Sequence, residues 1–189
     1  MYGHIERPVH WARHLLHIRD LQQRTGGFTE LVPLPFVHME APMYLKGEAR
    51  RGPTFREALL MHAVARLVLH PLIPNIQVSW VKLGEDGVRA ALAAGVNDLG
   101  GTLMNESISR AAGTQHGEEM PPAEMERIIR ASGRIPRQRT TLYGDAPEPQ
   151  VARSFAAAQL LPKLDPEPRK GQPSRLAGRA MAAPLPSGS

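Results

Sequence analysis

The sequence contains no cysteine. That absence excludes disulfides, thiolate metal ligands and cysteine nucleophiles, and it makes a cytoplasmic setting the default expectation. Aromatic residues are scarce, at 5%, and the basic residues are not interleaved with them, so the pattern of a nucleic-acid surface is missing. No apolar run approaches the roughly 18 residues a membrane-spanning helix needs. The start, MYGHIERPVH, has neither the basic stretch nor the apolar run of a signal peptide. A complete phosphate loop and an obvious nucleophile–base pair are absent as well. What is present is ordinary for a soluble domain: 189 residues, 42% hydrophobic, and a mean hydropathy of −0.29. That length accommodates one domain with a sizeable core. The net charge of +5 is spread along the chain, as a solvated surface would have it.

Two compositional regimes divide the chain, residues 1–144 and residues 145–189. The second turns to Pro, Ala, Gly, Ser and Arg, as in PKLDPEPRKGQPSRLAGRAMAAPLPSGS. It offers too little apolar surface to offset chain entropy and reads as a disordered tail, with one helix over Val151–Leu161 at its base. In the first regime strands and helices alternate. Trp11, Leu15, Ile18 and Leu21 recur at helical spacing until Gly26-Gly27. Phe28–Phe36 reads as a strand with prolines at its end. Thr54-Phe55-Arg56-Glu57 is a capping box that opens an apolar helix stopping before Pro71. Asn75–Leu83 reads as a buried strand, EDGVRAALAAG as a short helix, VNDLGGTL as a further strand, and PPAEMERIIRASG as a helix with proline at its start and glycine at its end. This alternation predicts βαβ units around a parallel sheet. Ligands of such sheets sit at the C-terminal ends of the strands, here Met1–Glu6, Pro33–His38, Gln77–Lys82 and Asp98–Ser107.

Each candidate at these junctions has a plain alternative. His10, His14 and His17 share one helical face, but no carboxylate accompanies them at matching spacing, so a solvent-facing stripe is the favoured reading. Gly3 and Glu6 form a G-x-x-E that chance alone supplies often, or a turn followed by a helix-start carboxylate. Gln77 and Ser79 fall on the same side of a strand. Polar groups directed inward there need a ligand or each other. In VNDLGGTLMNESISRAAGTQHGEEM the glycines allow close backbone approach, and Asn105 or Ser107 can cap the next helix. A phosphate or carboxylate fits such a helix start, and a tight strand-to-helix turn explains the same residues.

Taken together, MYGHIE, TGGFTELVPLPFVHMEAPMY, NIQVSWVKLG, NDLGGTLMNESISRAAGTQHG and PRQRTTLYG resemble the FO synthase family of radical S-adenosylmethionine enzymes. The resemblance spans about Met1 to Gly144 and is closest to the tyrosine-using half, the 5-amino-6-(D-ribitylamino)uracil–L-tyrosine 4-hydroxyphenyl transferase. Related menaquinone-pathway enzymes share MYGHIE and TGGF; PFVHMEAPMYL and MNESISRAAG point to the deazaflavin branch.

The resemblance implies a (β/α)8 barrel, with this chain as its C-terminal half from the end of strand five through strand eight. It also implies S-adenosylmethionine and a 4Fe–4S cluster bound through C-x-x-x-C-x-x-C in the complete enzyme, and L-tyrosine and 5-amino-6-(D-ribitylamino)uracil as substrates. The cysteine motif is absent here, so the chain is expected to be inactive without a cluster-bearing half, supplied separately, or to pair with itself as a non-catalytic assembly protein. Under the same resemblance Gly3, His4 and Glu6 border the cofactor. Tyr2, His38, Gln77, Ser79, Lys82, Asn105 and Glu106 are candidates for substrate contact, and the reacting residue stays open.

Overall fold

The computed structural model describes residues 1–103 and 106–158. Four short extended segments run parallel and lie side by side in chain order, embedded among helices. Tyr2 bridges to Pro35, Glu30–Leu31 (β1) pairs with Asn75–Ile76 (β2), and Gln77 bridges to Asp98. Backbone hydrogen bonds link the same segments: Tyr2 N donates to Leu34 O at 3.0 Å, Gln77 N to Leu31 O at 2.9 Å and Val78 N to Asp98 O at 2.9 Å. Parallel neighbours need a crossover. Here it is made by Pro8–Thr25 (α1), by Pro42–Leu45 (α2) with Phe55–Leu69 (α3), and by Trp80–Ala93 (α4). Ile108–Ala111 (α5), Pro122–Ala131 (α6) and Glu148–Phe155 (α7) follow. The architecture is therefore helix-rich α/β.

Local chemistry accounts for the helix ends. The α1 helix has proline at its first turn and closes at Gly26, whose φ of 63° is the left-handed conformation that glycine adopts without strain. His10 Nδ1 accepts from Arg7 N at 3.1 Å, so one histidine of the exposed stripe serves as a cap. Trp11 and Leu15 are buried as their spacing predicts, but Leu21 is exposed and Gln22 is buried in its place. The Gln22 amide donates to Phe28 O and Leu72 O, each at 3.0 Å, and accepts from Phe28 N at 2.8 Å. Backbone groups that would otherwise lack partners draw a polar side chain inward. The α3 capping box forms as expected, with Glu57 N donating to Thr54 Oγ1 at 3.2 Å and Thr54 N to Glu57 Oε2 at 2.7 Å.

The strands are much shorter than the apolar runs suggest. Within 28–36, only Glu30–Leu31 pairs as a strand and Pro35 forms a single bridge; the prolines cannot donate to a ladder. The expected strand Asn75–Leu83 ends at the Gln77 bridge, and Trp80 opens α4. An apolar run of that length is compatible with strand or helix, and periodicity alone does not separate them. The expected strand VNDLGGTL contributes one bridge, at Asp98, before the chain turns at Gly100 with φ 76°. In the C-terminal region α7 begins at Glu148, ahead of the expected Val151, and lies inside the stretch assigned to a disordered tail. Residues 159–189 are outside the described part.

The α1 helix packs on α3, α3 on α4, and α4 on α6. Between this helical layer and the parallel segments lies a core containing Leu15, Leu69, Ile76, Val78, Trp80 and Ile128. Each fully buried aliphatic side chain there stabilises the fold by about 1.5–3 kcal/mol. Leu31, Ile76 and Leu99 face this core, so strand alternation assigns Glu30, Gln77 and Asp98 to the opposite face. No helix among the described residues is long and apolar enough to cross a membrane.

Candidate functional site

Three groups of polar side chains lie along the parallel segments, at their C-terminal ends and on their polar face. The first is Tyr2–Glu6. Glu6 Oε1 accepts from Gly3 N and, at 2.9 Å, from Trp11 Nε1, while Oε2 accepts from Ile5 N at 3.1 Å. Burial pushes the Glu6 carboxyl up, but these N–H donors outweigh it and hold its pKa down at about 2. The carboxylate is thus occupied by its own turn. A side chain at Gly3 would meet the Pro53 ring 2.3 Å away, so the glycine admits the loop that carries Pro53. Arg50 fastens that loop, donating from Nε to Gly3 O at 3.0 Å. His4 Nδ1 lies 3.1 Å from Glu6 Oε2, near enough for an ion pair yet off the hydrogen-bond direction. Tyr2 is buried in the core, edge-on to Trp11 at 5.2 Å between ring centroids. Its hydroxyl has no hydrogen-bond partner among the described residues, and burial, with Glu57 nearby, pushes its pKa up.

The second group lies on the polar face of the parallel segments. Asp98 Oδ1 accepts from Gly100 N at 2.7 Å, and Asp98 Oδ2 accepts from Arg139 Nε at 2.7 Å. The Tyr143 hydroxyl sits between the carboxylates of Asp98 and Glu30. Burial, then these two acceptors, push its pKa up. Gln77 packs beside Gly100, where a Cβ would lie 2.6 Å from Gln77 Nε2. Trp80 Nε1 donates to Gly101 O at 3.0 Å. Ser79, at the N-cap position of α4, is buried and makes no side-chain cap. Together these contacts fix the Gly100–Gly101 turn from three directions.

The third group lines an open cleft of about 570 Å³, within the size range of small-molecule sites. Loops after β1, before α3 and after α5 surround it, along with the first turn of α4. His38, Arg51, Lys82 and His116 supply its polar groups, and Phe36, Met39, Phe55 and Leu83 its apolar wall. Lys82 Nζ donates to Ser109 Oγ at 3.1 Å. Burial pushes the Lys82 pKa down, while the Glu106 carboxylate opposes that shift. Glu106 itself accepts from Ser109 N at 3.0 and 3.1 Å, giving it the capping role that the sequence suggested for Asn105 or Ser107. Gly84, with φ 66°, bends α4 and lets His116 pack against the bend, since a Cβ there would lie 2.8 Å from the imidazole.

Of the substrate candidates, His38 and Lys82 share this cleft, and Glu106 stands behind Lys82. Gln77 and Ser79 lie on the strand side, and Tyr2 is in the core beneath the loop that bears Pro53. Asn105 lies outside the described residues. Arg51 and His116 were not singled out from the sequence. His116 sits within the glycine-rich stretch 96–120, but only the fold brings it to the cleft that Lys82 lines. The chain's donor set does not fit an iron–sulfur cluster. It has no cysteine, and among the described residues no group of three or more His, Asp or Glu is placed to hold a metal ion. Chemically, the cleft can hold a molecule with an anionic end and an apolar body.

The chain is 50% identical over 166 residues to the FO synthase of Streptomyces avermitilis, covering 88% of this chain and 19% of that protein. It is 57% identical over 144 residues to the FO synthase of Nocardia farcinica, covering 76% and 17%. With the 5-amino-6-(D-ribitylamino)uracil–L-tyrosine 4-hydroxyphenyl transferase of Methanopyrus kandleri it shares 57% identity over 143 residues, 76% of this chain and 39% of that protein. The chain therefore spans well under half the length of these relatives. A family model described as the CofH/MqnC C-terminal region matches residues 25–152, and the chain belongs to that family.

Proposed function

We propose that this chain is the substrate-facing C-terminal part of a radical S-adenosylmethionine transferase, the one that joins a tyrosine-derived 4-hydroxybenzyl group to 5-amino-6-(D-ribitylamino)uracil. The observation that carries the reading is the cleft shared by His38 and Lys82 just beyond the C-terminal ends of two parallel segments, in a chain of this family. In α/β barrels that end carries the chemistry. The four segments would be strands five to eight of the barrel. S-adenosylmethionine bound to a 4Fe–4S cluster would supply the radical in the complete enzyme, with the cluster held by cysteines outside this sequence. The chain's own residues would bind and orient: His38 and Lys82 at the cleft, Gln77 and Ser79 on the strand side, and Asn105 and Glu106, next in sequence after the Gly100–Gly101 turn. Gly3, His4 and Glu6 would border the cofactor as a rigid turn, because the Glu6 carboxylate is already occupied.

Co-expression with a cysteine-bearing N-terminal half of a related transferase tests this reading. A stable one-to-one complex is expected. A discrete self-dimer that ignores the cysteine-bearing half would instead support a non-catalytic assembly protein.

A further inference from the structure

The geometry points to a carboxylate-binding pocket in the cleft, with Arg51 and Lys82 as its anion-holding residues and Phe36, Met39, Phe55 and Leu83 as the wall for an aromatic body. Arg51 projects from the loop before α3, and Lys82 from the first turn of α4, so two separate crossovers converge on one cleft. Among the described residues that line the cleft there is no Asp or Glu. Arg51 has no ion pair or hydrogen bond among the described residues, unlike its neighbour Arg50, which pairs with Glu57 at 3.2 Å. An unpaired guanidinium is a fork suited to a planar carboxylate. Lys82 is half-buried and held in place by Ser109 Oγ, so its ammonium is positioned with a donor capacity that one hydroxyl does not exhaust. Glu106 offsets part of the local charge without lining the cleft. His116 and His38 border the same space as further polar contacts.

Ring and carboxylate together describe an aryl-substituted carboxylic acid, and that the ring is a phenol rests on the transferase reading above. The carboxylate requirement stands on the cleft alone. In the complete enzyme this pocket would fix the carboxylate end of the amino-acid substrate and thereby set where its side chain lies.

Titration calorimetry on the full chain tests the pocket with 3-(4-hydroxyphenyl)propionate, its uncharged amide, and acetate. A charge-assisted contact is commonly a tenfold or greater effect. The acid is expected to bind at least about tenfold tighter than either the amide or acetate, and to move the His116 imidazole resonances. Arg51→Gln, which leaves Lys82 in place, should reduce the preference for acid over amide several-fold, while Arg56→Gln, a change outside the cleft, leaves it intact. Thermal melts of both variants check that the fold is kept. Equal binding of acid and amide, no binding of the acid, or an undiminished preference in folded Arg51→Gln overturns the pocket. Acetate binding as tightly as the aryl acid also overturns it as described, by removing the aromatic wall. Complex formation with a cysteine-bearing half is a separate measurement, so the transferase reading and the pocket can fail independently.

Discussion

Arg139 Nε donates to Asp98 Oδ2 at 2.7 Å, tying a segment beyond α6 to the last of the four parallel segments. The Asp98 side chain is only 6% exposed and that of Arg139 26%, so the pair is partly desolvated and each charge depends on the other. Asp98 also holds Gly100 N, and the pair therefore acts through the carboxylate on the turn beside Gln77. Removing the cation while retaining the buried carboxylate is costly. Arg139→Met should lower stability by about 2–4 kcal/mol, and Tyr143→Phe by about 1–2 kcal/mol. Urea denaturation of each variant is the check, and changes below about 0.5 kcal/mol, typical of neutral surface sites, would mean the segment is not anchored there.

Glu6 has a pKa of about 2 in the folded chain, below its ordinary value near 4.5. A depressed carboxylate pKa contributes stability that is fully present above the unfolded value and is lost as pH falls toward the folded one. The Glu6 contribution should therefore be complete above about pH 4.5 and fade between there and about pH 2. Glu6→Gln removes the titrating group. The stability difference between wild type and Glu6→Gln, followed by denaturation across that window, should narrow as pH falls. A difference that stays constant would contradict the role given to the carboxylate.

Gly84 has two reasons to be glycine, its φ of 66° and the imidazole against it. Gly84→Ala should cost about 1–3 kcal/mol and displace His116 from the bend in α4. Histidine NMR resonances combined with a thermal melt measure both effects. Full stability with unshifted His116 signals would show that the bend does not need glycine.

Much of this was legible in the sequence, for identifiable reasons. The α1, α3 and α6 helices announce themselves through period, caps and breakers, and Thr54 and Glu57 do in the structure what their spacing predicts. The strands were legible in order and sense but not in extent: Trp80 and Lys82 sit on a helix because Ser79 ends the extended run. Gln22 shows the limit of apolar periodicity, since unmet backbone groups at Phe28 and Leu72 outweighed the claim of Leu21. The cleft was the least visible feature. His38 and Lys82 could be picked from their junctions. Arg51 and His116 join them only through loop packing, Pro53 against Gly3 and His116 against Gly84, which no local spacing encodes.

The central claim is that these residues form the substrate-facing part of a transferase. Its most direct test is a chimera in which residues 25–152 replace the matching segment of the Methanopyrus kandleri transferase, assayed for product from L-tyrosine and 5-amino-6-(D-ribitylamino)uracil. The account predicts that the chimera, loaded with its cluster, forms the coupled product. A soluble, folded, cluster-loaded chimera that forms none would contradict it.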